Sequence, residues 1–369
     1  MTTNRLASLD TFRGITVAAM VLVNNPGTWS AVYPPLRHAE WHGWTPTDLI
    51  FPFFLFVMGV AIPLALGRRL DRGEGRPGVV MKVVRRSVII FGLGLVLHAV
   101  PEFDLATLRI PGVLQRIAVC YLVASLVFLR TGWRPQAGLA AALLIGYWAA
   151  LLLVPVPGFG VGNLDREGNL AAYVDRALFG RHLWRAARVY DPEGLLSTLP
   201  AVATTLMGVL TGHWLRAGRR PGVTVRGLLV AGLAGVALGE LWGGVLPINK
   251  ALWTSSYVAL TGGGALLALG ACYWLVDVRG WRGWTRPFVV LGVNALALFF
   301  LSTLAARLLI VIEVERPAGR RSLHALLFGR LFAPWAAPVD ASLAYAIAYV
   351  LLWLGLAWLL YRRRIRLTV

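Results

Sequence analysis

The chain has 369 residues, of which 57% are hydrophobic and only 14% charged, with a formal net charge of +19. A soluble domain carries about a quarter charged residues and covers its surface with them, so this composition excludes a soluble enzyme, a disordered protein and a nucleic-acid-binding domain. It describes an all-α, polytopic bundle of membrane-spanning helices.

A spanning helix needs about 20 mostly apolar residues. Ten such segments are expected in chain order, near 13–30, 48–67, 86–102, 111–130, 137–156, 195–215, 227–246, 254–276, 287–312 and 341–361. The third is short, and the ninth is long enough to be tilted or broken. The run at the N-terminus has no A-x-A-like cleavage site and reads as a retained first span. No internal repeat is evident, so residues 1–369 are read as a single transmembrane domain.

Well over half of the 36 basic residues fall in blocks that ten spans place on one side: Arg5 and Arg13, Arg68 to Arg86, Arg130 and Arg134, Arg216 to Arg226, Arg279 to Arg286, and Arg362 to Arg366. The positive-inside bias makes that side the cytoplasm, with both termini in it. The outer loops are then 25–47, 157–194, 247–253 and 313–340. Cys120 and Cys272 both lie in apolar runs, which excludes a disulfide scaffold and a cysteine-based metal site.

Polar groups in this setting are few and informative. Asp10 and Arg13, three apart at the cytoplasmic start of the first span, share a helix face. They read either as an end-of-helix ion pair or as a cation held for an anionic cosubstrate. At the outer end of that span stands Asn24, followed by His38-Ala-Glu-Trp-His42-Gly-Trp-Thr45-Pro-Thr-Asp48. A histidine in an outer loop is a solvated side chain or a proton acceptor near neutral pH. His38-x3-His42 would suit a metal only on a helix, which Pro34, Pro35 and Gly43 argue against, so no metal is expected. Thr45-Pro46-Thr47-Asp48 reads as a helix start with Asp48 as a capping acid, which leaves one carboxylate oxygen for His38.

Further along, His98, Arg116, His213, Glu240, Asn294 and Arg307 fall at membrane depth, where ionisable groups pair with one another or line a wet cavity. Asp191 and Glu193 precede a span at its outer end, and Asn249 and Lys250 lie in a short outer loop before Trp253. Lys250 is one of two lysines and reads either as an interfacial anchor or as a substrate contact. The run Gly262-Gly263-Gly264 inside a span suggests close helix packing.

Several long motifs, in order over nearly the whole chain, resemble the heparan-alpha-glucosaminide N-acetyltransferases and their bacterial relatives. They are Arg5-Leu-x-Ser-Leu-Asp-Thr-Phe-Arg-Gly14, then Asn24, then His38-Ala-x-Trp-x-Gly-x-Thr-x-x-Asp48-Leu-Ile-Phe-Pro-Phe-Phe-Leu-Phe-x-x-Gly59. Ile110-Pro-Gly-Val-Leu-Gln-Arg116, Tyr190-Asp-Pro-Glu-Gly194 and Pro247-Ile-Asn-Lys250-x-Leu-Trp-Thr254 continue the likeness. The loop after Asn24 differs from the family's, with extra residues before His38. The lysosomal enzyme's additional N-terminal luminal domain and first span are not expected in this chain.

The resemblance implies an acyltransferase that moves an acetyl group from cytosolic acetyl-CoA to an amino sugar or other glycan on the outer face. It implies His38 as the functional histidine, with Asn24 and Asp48 beside it as catalytic residues. Asp10, Arg13 and Arg116 are then expected at the acetyl-CoA, and Asn249, Lys250, Asp191 and Glu193 at the acceptor. The polar interior groups would line a passage for the pantetheine arm. Expected partners are acetyl-CoA, the glycan acceptor, the lipid bilayer of a bacterial inner membrane and a second copy in a homodimer, and no nucleic acid. Two other readings stay open: a proton-coupled transporter or flippase using Glu240, Arg116 and His98 as a relay, and O-acetylation of an envelope polysaccharide.

Overall fold

A computed structural model describes residues 6–315, 319–365 and 367. Arg5 and Arg366 of the basic blocks lie outside the described residues.

The architecture is all-α and polytopic, and each of the ten expected segments falls on helix. In chain order these are α1 (Ala7–Asn24), α2 (Ile50–Asp71), α3 (Arg76–Ala99), α4 (Val113–Arg130) and α5 (Trp133–Leu153), the short α6 (Leu170–Phe179), then α7 (Leu195–Arg216), α8 (Pro221–Gly243), α9 (Ser255–Cys272), α10 (Arg286–Val293), α11 (Ala295–Val311), the short α12 (Leu323–Leu331) and α13 (Pro338–Arg362). Seven of them, and an eighth span if α10 and α11 count as one, are long and apolar enough to cross a membrane. α1 and α3 lie outside that count. They run in the same sense, from the face rich in arginine to the face that carries His38, and charged residues occupy their early turns.

Three boundaries differ from those expected, each for a local reason. The first helix ends at Asn24 because Asn25 precedes Pro26, and a residue before proline avoids the helical region. α3 begins ten residues earlier than expected because Pro77 starts it in its first turn, leaving the basic residues on a helix rather than in a loop. The ninth segment is broken: α10 and α11 meet at 81°. Asn294 stands at the break, donating through Nδ2 to the Ile365 carbonyl at 3.3 Å and accepting from the Leu367 N–H at 2.9 Å. Its side chain thus supplies partners where the helical ladder stops.

Two of the expected outer loops contain an α-helix. Residues 157–194 hold α6, whose first turn is capped by Asn169 accepting from Ala172 N–H at 2.8 Å. Residues 313–340 hold a two-stranded hairpin pairing Glu313 with Ser322 and Val314 with Arg321, followed by α12.

Small residues set the helix spacing. A Cβ on Gly59 of α2 would lie 2.1 Å from the Thr205 carbonyl, and one on Gly208 of α7 would lie 2.1 Å from the Phe56 carbonyl, so these helices touch backbone to backbone. Gly263 packs equally tightly on α8, with a Cβ position 2.4 Å from Val236 N. The buried core runs through α1, α2, α4, α7, α9 and α11 and includes Val17, Leu55, Ile117, Leu206, Tyr257 and Leu298.

Candidate functional site

The loop after α1 and the loop before α9 dock on one another and build the site. Gly43, with φ of 96°, donates its N–H to the Ile248 carbonyl at 2.8 Å. Asn249 is fully buried; its Oδ1 accepts from Leu252 N–H at 2.9 Å, and its own N–H donates to Thr254 Oγ1 at 3.0 Å. These bonds hold Trp253 at φ of 52°, a costly conformation for a bulky residue, and the indole N–H donates to Thr204 Oγ1 at 3.1 Å. Asn249 therefore shapes the turn that presents Lys250, and does not itself line the cavity.

Asp48 joins structure and chemistry in one side chain. One oxygen, Oδ2, accepts from Thr45 N–H at 3.0 Å and Ala39 N–H at 3.1 Å, closing the turn before α2. The other, Oδ1, lies 2.7 Å from His38 Nδ1. The carboxyl is 1% exposed, the imidazole 46%. Since Asp48 accepts, Nδ1 carries the proton and Nε2 keeps its lone pair. Lys250 Nζ lies 2.9 Å from Nδ1, 3.2 Å from Nε2 and 3.4 Å from Asp48 Oδ1, and with Nδ1 committed to Asp48 the ammonium donates to Nε2. Burial lowers the Lys250 pKa below the ordinary lysine range, with the Asp48 charge opposing. Tyr257 braces the turn from below, its hydroxyl donating to the Asp48 carbonyl at 2.5 Å.

His38, Asp48, Lys250 and Asn24 all line one cavity of about 430 Å³. Its floor is apolar, formed by Met20, Phe51, Val113 and Phe299; its wall is Trp41, Trp184, Tyr190, Glu40 and Glu193. The wall is tied together. Trp41 packs edge-on to Tyr190 at 5.0 Å and donates to the Leu164 carbonyl at 2.9 Å. Arg109 binds Asp191 through Nε at 2.9 Å and Nη2 at 2.6 Å, and reaches Glu193 at 2.5 Å. Burial alone would lower the Arg109 pKa, but Glu193 and Asp191 outweigh it and raise it. Asp191 stands behind the wall with its side chain fully covered, while Glu193 faces the cavity.

Sequence reasoning passed over Arg109, because a lone arginine between Leu108 and Ile110 has no periodicity to mark it. The signal was the Asp191–Glu193 pair, which needs a cation once buried. Replacing Arg109 with alanine is expected to cost about 3–5 kcal/mol by stranding the Asp191 carboxylate. Chemical denaturation in detergent measures it, and a loss below about 1 kcal/mol would show the pair to be solvated.

A second cavity of about 650 Å³ opens at the opposite, basic end. Arg13 of α1, Arg69 of α2 and Lys82, Arg85 and Arg86 of α3 stand around it, with Tyr121 and Asn294; its interior is aliphatic, with Phe54, Ile117 and Leu296 nearest the first cavity. Arg86 lies 4.9 Å over the Tyr121 ring. Arg13 pairs with Asp10 at 3.0 Å, and Asp10 is buried and does not line the cavity. The two cavities use the same three helices one turn apart: Phe51 and Phe54 on α2, Val113 and Ile117 on α4, Phe299 and Leu296 on α11. At 1.5 Å per residue the two linings are offset by about 5 Å along these helices, and the apolar side chains between them form a septum.

Of the polar interior groups, Asn294 lines the basic cavity, whereas His98, Arg116 and Glu240 line neither cavity. Arg116 is 2% exposed, lines neither cavity, lies 4.9 Å over the Trp253 ring, and donates to Ser197 Oγ at 2.5 Å and the Gly194 carbonyl at 3.2 Å. It ties α4 to the start of α7 and stands away from the basic mouth. His98 Nδ1 is 2.9 Å from the Arg109 carbonyl, and Glu240 is exposed at the end of α8, accepting from Trp44 at 3.2 Å. Each finds a nearby partner because isolation in an apolar bundle is costly.

Asp175 of α6 closes the same corner. It is 1% exposed, its Oδ1 accepts from Leu195 N–H at 2.9 Å, and burial pushes its pKa up to about 7, aided by Asp191 and opposed by the Leu195 N–H and Arg116. A carboxyl raised on folding contributes stability that is complete below its ordinary value of 3.8 and is lost as pH rises through 7. The melting temperature is therefore expected to fall by a few degrees between pH 4 and 7, and Asp175→Asn, which keeps the acceptor oxygen, should flatten that fall. Equal slopes for the two proteins would contradict this.

Long apolar helices, a His–Asp pair at the head of one cavity and a basic rim on another describe an integral membrane protein with a polar site at one end of the bundle and a basic one at the other. The family model described as "Heparan-alpha-glucosaminide N-acetyltransferase, catalytic" matches residues 5–236. The chain is 33% identical over 356 residues to heparan-alpha-glucosaminide N-acetyltransferase of Homo sapiens and 32% identical over 357 residues to that of Mus musculus, in each case across 80% of this chain. It belongs to the heparan-alpha-glucosaminide N-acetyltransferase family. It spans about half the length of these curated relatives, 52% and 53%.

Proposed function

We propose that the protein is a transmembrane acetyltransferase that takes an acetyl group from acetyl-CoA at the basic face and delivers it to an amino sugar at the His38 face. The charge bias makes the basic face cytoplasmic, and a bacterial inner membrane is the setting. One observation carries the reading: the cavity headed by His38 and the arginine-rimmed cavity lie end to end on the same three helices.

The chemistry follows from the parts. Arg13, Arg69, Lys82, Arg85 and Arg86 suit the phosphates of the donor, and the aliphatic interior suits its thin arm, which crosses the septum when Phe51, Phe299 and their neighbours part. His38 Nε2 accepts the proton of the acceptor amine as its nitrogen attacks the thioester carbonyl. The C–N bond forms, the C–S bond breaks, and His38 returns the proton to the departing sulfur. Asp48 fixes the tautomer and steadies the transient imidazolium. Asn24 stands on the cavity wall to bond the oxyanion. Trp41, Trp184 and Tyr190 offer faces for a sugar ring, and Glu40 and Glu193 draw an ammonium.

Purified protein incubated with acetyl-CoA and a panel of amino sugars, alongside glycans that carry hydroxyls only, tests this by mass spectrometry of products. Acetylation confined to the amines is expected. No affinity for acetyl-CoA and no acetylated product would end the enzyme reading, undiminished activity in His38→Ala would remove His38 as its base, and acetylation of hydroxyls alone would move the acceptor to an O-acetylated glycan.

A further inference from the structure

Lys250 occupies the place that an acceptor amine must take. Its Nζ is a primary amine 3.2 Å from His38 Nε2, the atom that would receive the acceptor's proton, and it lines the cavity with its side chain 23% exposed. The chain has only one other lysine. Lys82 sits at the opposite face, more than half exposed and paired with Glu74. We propose that Lys250 is a self-acetylation site: when donor arrives and no acceptor is bound, His38 directs the acetyl group onto Lys250 Nζ.

The inference rests on the acetyl transfer proposed above and extends it to an unassigned modification. The step balances as the normal reaction does. The Lys250 ammonium loses a proton to solvent. The neutral amine attacks the thioester carbonyl, and an amide C–N bond forms as the C–S bond breaks. His38 takes one of the two amine protons and passes it to the sulfur, releasing CoA as the thiol, while the other stays on the amide nitrogen. Burial favours the neutral amine that the attack requires. The product is stable, and it has two consequences. The positive charge beside Asp48 disappears, and an amide fills the space beside His38 Nε2. The modified protein should therefore lose turnover, so acceptor supply would set how long each molecule stays active. Bound acceptor protects by displacing Lys250 from the imidazole.

Full-length protein in detergent, incubated with acetyl-CoA alone, is followed by intact mass and peptide mapping. A gain of about 42 Da per acetyl is expected on Lys250. Lys82 should trail it by about tenfold or more, because Lys250 lies beside the His38 base whereas Lys82 is paired with Glu74. Added amino sugar should slow the labelling, and His38→Gln should abolish it. Labelling of Lys82 at the same rate as Lys250, or Lys250 labelling that persists in His38→Gln, would show adventitious chemistry and overturn the proposal. An unmodified Lys250 in protein that acetylates glucosamine overturns the proposal and leaves the acetyltransferase standing. An unmodified Lys250 in protein that acetylates nothing removes both. Lys82 within the same molecule serves as the reference, so the result does not depend on whether the variant folds.

Discussion

Replacing His38 with alanine is expected to lower acetyl transfer by about 10²–10⁴-fold, the contribution of a positioned general base. The imidazole is nearly half exposed, so its removal leaves little unfilled core, and Asp48 keeps the two backbone N–H groups that it caps. The loss should therefore fall on turnover rather than on folding, and the affinity for acetyl-CoA should hold, because the basic cavity is a separate chamber. Single-turnover kinetics with labelled donor, beside direct donor binding, separate the two. A loss smaller than about fivefold would mean that the amine arrives already neutral and needs no base.

The second large effect belongs to the basic rim. Arg85 and Arg86 are neighbours on α3 that both line the arginine-rich cavity. Charge-assisted hydrogen bonds to phosphate are worth about 1.5–3 kcal/mol each. The double variant Arg85→Ala/Arg86→Ala is thus expected to raise KM for acetyl-CoA by about 100-fold or more while kcat with saturating donor changes little. Because these side chains face solvent at the rim, the effect should shrink as salt is added. An unchanged KM would place the donor phosphates elsewhere, and the Arg13 and Arg69 side of the cavity would be the next to test.

Most of the helices were legible in the sequence because apolar length is a one-dimensional property: a run such as Ile50–Leu66 can be little else in an otherwise charge-poor chain. The turn at Thr45–Asp48 was legible for a similar reason, since capping is local, and the second oxygen of Asp48 reaches His38 as the capping geometry allowed. Long-range pairing was not legible. Nothing in the order of residues shows that Lys250 crosses 212 positions to meet His38, or that Arg109 meets Asp191 across 82. Arg116 shows the converse difficulty. The resemblance put Arg116 at the donor, yet it packs over Trp253 and donates through Nη2 to Ser197 inside the bundle, with Nε and Nη1 buried and without hydrogen-bond partners. The break at Asn294 was visible only as a segment too long for one span, because its cause is a contact with residues 365 and 367. The two end-to-end cavities exist only once three helices are packed.

Sidedness decides the account most directly. Protein reconstituted in one orientation into sealed vesicles, with labelled acetyl-CoA confined to the side of Arg85 and Arg86 and glucosamine confined to the side of His38, should yield N-acetylglucosamine only in the glucosamine compartment. CoA should remain with the donor. Product formed only when both substrates share a compartment would contradict transfer across the septum.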